Sequence, residues 1–239
     1  VIIIDEYKCG YQHVPKSGST SVCHYFADLL DVQPIKWHDS GGSTLRNEWE
    51  KRSGIIPKDY YIFSFVRNPW SRLVSGYYEF LKYLESTNAG YPGAVRQNKK
   101  WANEKRLTIP QMTELISSRE DPPTFDAFAD FVINIEEQHA KTNCHWMSQC
   151  RLIRLFELED KKRKTRISDY DFIGRLETFE KDLKHVAGII GAPIDEVPWE
   201  QKQLAKSGKT YKDFYTNQKL IDDVGKHYEE DIDRFKYAF

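Results

Sequence analysis

A lysine and a cluster of hydroxyl side chains around one glycine form a group able to bind phosphate or sulfate. Lys16-Ser-Gly-Ser-Thr-Ser21 is such a segment. Gly18 lets the backbone approach an anion closely. Ser17, Ser19, Thr20 and Ser21 bring hydroxyl donors, and Lys16 brings a mobile positive charge at the loop entrance. The Walker order of ATP-binding loops puts its lysine after the last glycine, with four residues between the glycines. Here the lysine precedes the glycine, so that pattern is not met. Alone, the segment reads equally well as a Ser/Gly turn that caps a helix.

A second segment changes the balance. Phe65-Val-Arg-Asn-Pro-Trp-Ser-Arg-Leu-Val-Ser75 follows an apolar run. It puts Arg67 at a strand end and Ser75 about two turns into the next helix. An arginine there can pair bidentately with a phosphate. The bland alternative is an Arg–carboxylate pair and a buried serine. Two anion sockets on successive strands fit a nucleotide that carries phosphates at both ends.

The elements that must position these residues follow from local pattern. Val1-Ile-Ile-Ile4 reads as a first strand, and Tyr11 to Val14 as the end of another. From Ser19 the apolar residues Val22, Tyr25, Phe26, Leu29 and Leu30 recur at helical spacing. Ile35 to Asp39 is a short candidate strand, and Ser40 to Arg52 holds a short helix. Tyr60-Tyr-Ile-Phe-Ser-Phe-Val66 suits a central parallel strand covered on both faces. Asn68 caps the next helix with Pro69 at its first position, and Trp70, Leu73, Val74, Tyr77, Tyr78, Leu81 and Leu84 face its core side. Residues 86–124 form an excursion, helical near Ile109 to Ile116, expected to be an insertion or a lid over an acceptor. Phe125 to Ile135 is an amphipathic helix, and residues 160–166 are a basic, solvated loop. Tyr170 to Leu176 is a strand. Thr178 starts a helix that Gly191 ends, residues 192–213 are loop, and Thr216 caps a last helix. Strands alternating with helices predict an α/β, P-loop-like, three-layer fold with a central parallel sheet flanked by helices, in one domain over 1–239.

Composition narrows the classes. The 239 residues are 40% hydrophobic, enough for one sizeable core. Net charge is -1, so no global field draws in nucleic acid, and any basic site is local. There is no apolar run of about 18 residues, so no membrane contact is expected of this segment. The chain starts with Val rather than Met, which suggests a trimmed or processed protein and leaves room for an upstream anchor. Cys144 and Cys150 flank one short stretch. They read as thiols in a reducing compartment or as a local bridge in an oxidising one. A zinc site from Cys144, His145 and Cys150 lacks a second ligand pair of suitable spacing, so no metal is expected.

With these residues in view, the chain resembles the PAPS-dependent sulfotransferases, in particular the carbohydrate, Golgi-type branch and its bacterial and algal relatives. His13 to Ser21 is similar to that family's 5′-phosphosulfate loop, and Phe65 to Tyr77 to its 3′-phosphate motif. Asp171 to Glu177 and Tyr228 to Phe235 resemble its later blocks. Many relatives have Thr-Gly where this chain has Ser17-Gly18, which retains the hydroxyl. His145-Trp146 with Gln149 resembles a His-Trp motif of the carbohydrate branch, without the usual proline nearby. The resemblance implies PAPS as donor and PAP as product. It assigns Lys16, Ser17, Gly18, Ser19, Thr20 and Ser21 to the 5′-phosphate, Arg67 and Ser75 to the 3′-phosphate, and Arg175 to the nucleotide from its strand end. It also implies a Golgi lumen if the source is eukaryotic and an anchor lies upstream, with cytoplasm as the alternative.

Transfer demands cationic donors on the leaving phosphate and a base on the acceptor hydroxyl. Lys16 fills the first role. His38 is the candidate for the second, because it ends the strand between the two motifs and relatives have a histidine there. His145 is the alternative base and Glu48 a distant third. A glycan is the expected acceptor, and a small hydroxylated metabolite the alternative. Trp37, Tyr91, Trp101 and Trp146 are candidates to stack on sugar rings. Lys99-Lys100, Lys105-Arg106 and Lys161 to Lys164 could hold an anionic glycan, though they read first as solvated surface. The rival activity is a P-loop kinase-like phosphotransferase, which would want a Walker lysine and a Mg²⁺-binding Asp. The mechanism predicts that Lys16→Ala and His38→Ala each abolish transfer of labelled sulfate while circular dichroism shows a folded chain. Full activity in His38→Ala would move the base role elsewhere.

Overall fold

The computed structural model describes residues 1–32, 57, 59–88, 109–116, 123–135, 143–153, 170–198 and 208–239. The elements used below are β1 (Ile2–Ile4), β2 (Cys9–Gln12), α1 (Ser19–Leu29), β3 (Tyr61–Val66), α2 (Pro69–Asn88), α3 (Ile109–Ile116), α4 (Phe125–Asp130), β4 (Phe172–Arg175), α5 (Phe179–Ile190), α6 (Gln218–His227) and α7 (Glu229–Phe235). The expected strand over 35–39, the helix within 40–52 and the basic loop over 160–166 lie outside the described residues, as does most of the proposed lid. Contacts divide the chain into two compact units, Val1–Arg67 with Gln149–Lys202, and Asn68–Ser148 with Gln203–Phe239.

In the first unit the four strands form one sheet in the order β1-β2-β3-β4. β2, β3 and β4 are parallel, and β1 is antiparallel to β2. The fold is α/β with a mixed sheet flanked by helices, in which the expected parallel arrangement holds for β2, β3 and β4 and the edge strand β1 departs from it. The cause is the short link Asp5–Lys8, since a parallel return needs a crossover of a dozen or more residues. A 3₁₀ turn over Asp5–Tyr7 and a left-handed Lys8 (φ 45°) reverse the chain there. The strands that flank the anion loop and Arg175 are also shorter than read from sequence, ending at Gln12 and Arg175.

Burial on both faces suits β3 to its central place, with Ile62 to Val66 all buried. One sheet face sends Cys9, Tyr11, Phe63 and Phe65 into a core shared with Val22, Phe26, Phe179 and Leu183 from α1 and α5. Each large side chain fully buried there contributes about 1.5–3 kcal/mol. Burial pushes the Cys9 and Cys23 thiols up to about 12, so both act as small protonated core residues.

In the second unit Asn68 caps α2 as expected, its Oδ1 accepting from the Ser71 N–H at 3.2 Å. Trp70, Leu73, Val74 and Tyr77 are buried, and Phe80 and Tyr83 join them. The segment read as one helix over 125–135 is α4 followed by a π-helical stretch, Phe131–Ile135. Asn217 caps α6 in place of Thr216, accepting from the Leu220 N–H at 2.9 Å. Arg72 is 1% exposed, and burial lowers its pKa. Its guanidinium donates to the Met147 and Cys144 carbonyls at 2.6 and 2.9 Å. Tyr228 Oη donates to the Trp146 carbonyl, and Ser148 Oγ donates to buried Asp231 at 2.8 Å. Residues 144–148 are thus held by three polar groups from α2 and the C-terminal segment. No helix among the described residues is long and apolar enough to cross a membrane.

Phe65 and Gly174 face each other across β3 and β4. A Cβ on Gly174 would lie 2.5 Å from Phe65 Cε1. Gly174→Ala is expected to destabilise the protein by about 1–3 kcal/mol through overpacking, read as a lower urea midpoint at unchanged m value.

Candidate functional site

The chain leaves β2 at Gln12 and reaches α1 through a turn whose first bond runs from the Ser17 N–H to the Val14 carbonyl, 3.3 Å. Two residues of this turn are left-handed, Lys16 at φ 67° and Gly18 at φ 83°. For lysine that conformation costs about 1–2 kcal/mol, the kind of strain that collects at ligand sites. Gly18 is the N-terminal cap of α1, with no side-chain cap. The first bond of the helix is Val22 N–H to Gly18 carbonyl, 3.1 Å. The N–H groups ahead of Val22 precede that bond and form the positive end of the helix dipole. This is the ordinary geometry of an anion site at a helix N-terminus.

Packing fixes the loop. A Cβ on Gly18 would sit 2.9 Å from Leu176 Cδ1 and 3.1 Å from Phe179 Cε2. The glycine therefore serves two ends, its positive φ and its seat against the β4–α5 corner.

Arg67 follows the last residue of β3 and is half-buried. Its Nη1 donates to the Lys16 carbonyl at 3.3 Å, so the structure brings Arg67 to the loop. Its own backbone is held by a residue to which sequence reasoning assigns no role. The Arg67 N–H donates to Gln149 Oε1 at 2.8 Å, and Gln149 Nε2 donates to the Arg67 carbonyl at 2.8 Å. Ser17 Oγ donates to the same Oε1 at 3.1 Å, and both Ser17 and Gln149 are 0% exposed. The single Ser17 proton thus points at Gln149. Gln149 is 132 residues from Ser17 and 82 from Arg67, so its place in a motif beside His145-Trp146 gives no local sign of these contacts.

Ser19 and Ser21 are buried in the first turn of α1, and Lys16 and Thr20 are half-exposed. Arg175 ends β4 opposite Val66, so β2, β3 and β4 deliver the loop, Arg67 and Arg175 at their carboxyl ends. That is the edge at which open α/β sheets bind ligands. The Arg175 N–H and the Thr178 hydroxyl both donate to Asp182 Oδ2 at 2.7 Å. Thr178 therefore ties the corner to a carboxylate and makes no side-chain cap.

Ser75 belongs to the second unit, on α2, and is half-buried. His145 is there too, its Nδ1 2.8 Å from Asn143 Oδ1. Trp146 is 0% exposed and packs edge-on against Phe128, so it is core and does not offer a face to a sugar. His38, Glu48, Trp37, Tyr91, Trp101 and the three basic groups lie outside the described residues. Cys144 is half-exposed and Cys150 buried, with no disulfide between them in this structure. Among the described residues no cluster of His, Cys, Asp and Glu is arranged to hold a metal.

Gly18→Ala combines a left-handed backbone with a clash on Leu176 and Phe179. The expected outcome is a loss of about 1–3 kcal/mol in thermal or urea unfolding.

The sulfotransferase family profile matches residues 1–238 and so runs through both units. Carbohydrate sulfotransferase 14 of Danio rerio is 25% identical over 201 residues, covering 81% of this chain and 48% of the relative. Carbohydrate sulfotransferase 12 of Xenopus laevis is 25% identical over 206 residues, with 76% and 46% covered. Carbohydrate sulfotransferase 12 of Mus musculus is 25% identical over 228 residues, with 89% and 50% covered. The chain spans about half the length of these curated relatives. No solved structure matches it significantly. A match of this extent, on the loop geometry described above, establishes that the chain belongs to the sulfotransferase family.

Proposed function

We propose that the protein transfers a sulfuryl group from PAPS to a carbohydrate hydroxyl. The observation that carries the reading is the meeting of the left-handed Lys16–Gly18 turn, the α1 N-terminus and the Arg67 guanidinium in one unit. Cationic and N–H donors suited to the two phosphates of one nucleotide are thereby gathered in one unit. Kinship with carbohydrate sulfotransferases supports a sugar as acceptor.

In this reading the acceptor oxygen attacks sulfur while the bond from sulfur to the 5′-phosphate oxygen breaks in line. The acceptor proton passes to His38, with His145 as the alternative base. Negative charge grows on the departing phosphate, where Lys16 and the N–H groups of Gly18 to Ser21 meet it. PAP leaves as product. Arg67 holds the 3′-phosphate, and Arg175 approaches the nucleotide from the end of β4. The setting implied by the family resemblance is the Golgi lumen.

Calorimetry tests the donor site. PAP should bind saturably, and ATP with Mg²⁺ should not. Adenosine 5′-phosphate, which lacks the 3′-phosphate, should bind at least about tenfold more weakly, the worth of one charge-assisted pair. Arg67→Ala should erase most of that difference. Tight ATP–Mg²⁺ binding with no PAP binding would turn the reading toward a phosphotransferase. Labelled PAPS offered to glycans, peptides and small alcohols then identifies the acceptor class.

A further inference from the structure

We propose that Gln149 is a positioning residue for the nucleotide, holding the anion loop and Arg67 in the one arrangement that lets both meet the same ligand. The inference rests on the reading of this loop as the PAPS site.

Arg67 lies just past β3, where the ladder no longer supplies partners for its N–H and carbonyl. Buried main-chain groups of this kind must be paired. The Gln149 carboxamide closes both bonds at once, each at 2.8 Å. A primary amide is suited to this because it offers a donor and an acceptor side by side, as a peptide group does. Asn would offer the same pair one methylene too short, and Glu would lack the donor.

The same Oε1 also accepts from Ser17 at 3.1 Å. Arg67 in turn reaches back to the Lys16 carbonyl. The contacts therefore close a ring, from Lys16 to Ser17 along the chain, to Gln149, to the Arg67 backbone, and through its guanidinium to Lys16 again. Residues of the loop and of β3 cannot shift independently while that ring is intact.

The ring also divides the labour among the loop hydroxyls. Ser17 gives its one proton to Gln149, so it orients the loop, and the donors for an anion come from the residues after it. A loop held in this way loses little freedom when a ligand arrives, which raises affinity without adding a contact. Gln149 does this from a fully buried position.

The test uses Gln149→Met, which keeps an unbranched side chain of similar length and removes all three bonds. PAP affinity is expected to fall by about tenfold, as outer partners of binding groups commonly show, while the variant still unfolds cooperatively. Binding of adenosine 5′-phosphate, which engages only the loop end, should weaken as well. Ser17→Ala combined with Gln149→Met should weaken PAP no further than Gln149→Met alone, because both act on one ring. A folded Gln149→Met that binds PAP within about twofold of the wild type overturns the proposal, since effects of that size are within the scatter of independent sites. If Gln149→Met does not fold, Ser17→Ala carries the test, and unchanged PAP affinity there overturns it. Failure of the wild type to bind PAP would sink the PAPS reading instead. The positioning claim is then decided by amide hydrogen exchange in the ligand-free proteins. Faster exchange at Arg67 and Gly18 to Ser21 in the variant supports it, and unchanged exchange overturns it.

Discussion

Leu176 and Phe179 fill the space that a side chain on residue 18 would need. Phe179 also packs on Phe65 with ring centroids 4.9 Å apart, and the Phe65 ring lies over Gly174. One continuous seam therefore runs from the anion loop through two aromatic rings to β4. The loop, the strand that leads to Arg67 and the strand that ends at Arg175 are set against one another by this seam. Glycine stands at both of its ends because backbone and ring approach too closely there for a methyl group.

The polar contacts play a different part. A hydrogen bond inside a protein contributes about 0.5–1.5 kcal/mol net, less than the burial of one large side chain. The three bonds at Gln149 together contribute about 1.5–4.5 kcal/mol, less than Tyr11, Phe63, Phe65 and Phe179 combined. Their effect is on geometry, because a donor or acceptor displaced by an ångström is no longer bonded. Packing fixes where the loop lies, and the carboxamide fixes how its carbonyls and hydroxyls are turned.

What was legible in the sequence was what is local in the chain. The loop, the Asn68 cap with Pro69 and the Gly191 stop depend on residues within a few positions of one another, and each was found where expected. β1 reads as a strand from its residues, while its antiparallel direction follows from the short Asp5–Lys8 turn, which apolar pattern alone does not reveal. Thr216 and Asn217 are adjacent capping types, and only the helix register separates them. Trp146 was a fair candidate for stacking on sugar until its burial against Phe128 was known. Gln149 and Gly174 fall within segments that resemble family motifs, but what each does there is not legible, because its partners lie far away in the chain. Neutral amides and lone glycines carry no charge or period by which to be noticed.

Arg72 has a consequence for the order in which the second unit is completed. Its charge stays buried only in the company of the 144–148 carbonyls and of Asp231, whose negative charge favours the guanidinium. Tyr228 grips Trp146 from 82 residues further along, and Asp231 reaches Ser148 from 83. A chain emerging from the ribosome therefore exposes Arg72 and residues 144–148 well before α6 and α7 exist to cover them. The second unit therefore closes only when segments 82 and 83 residues apart in the chain have met.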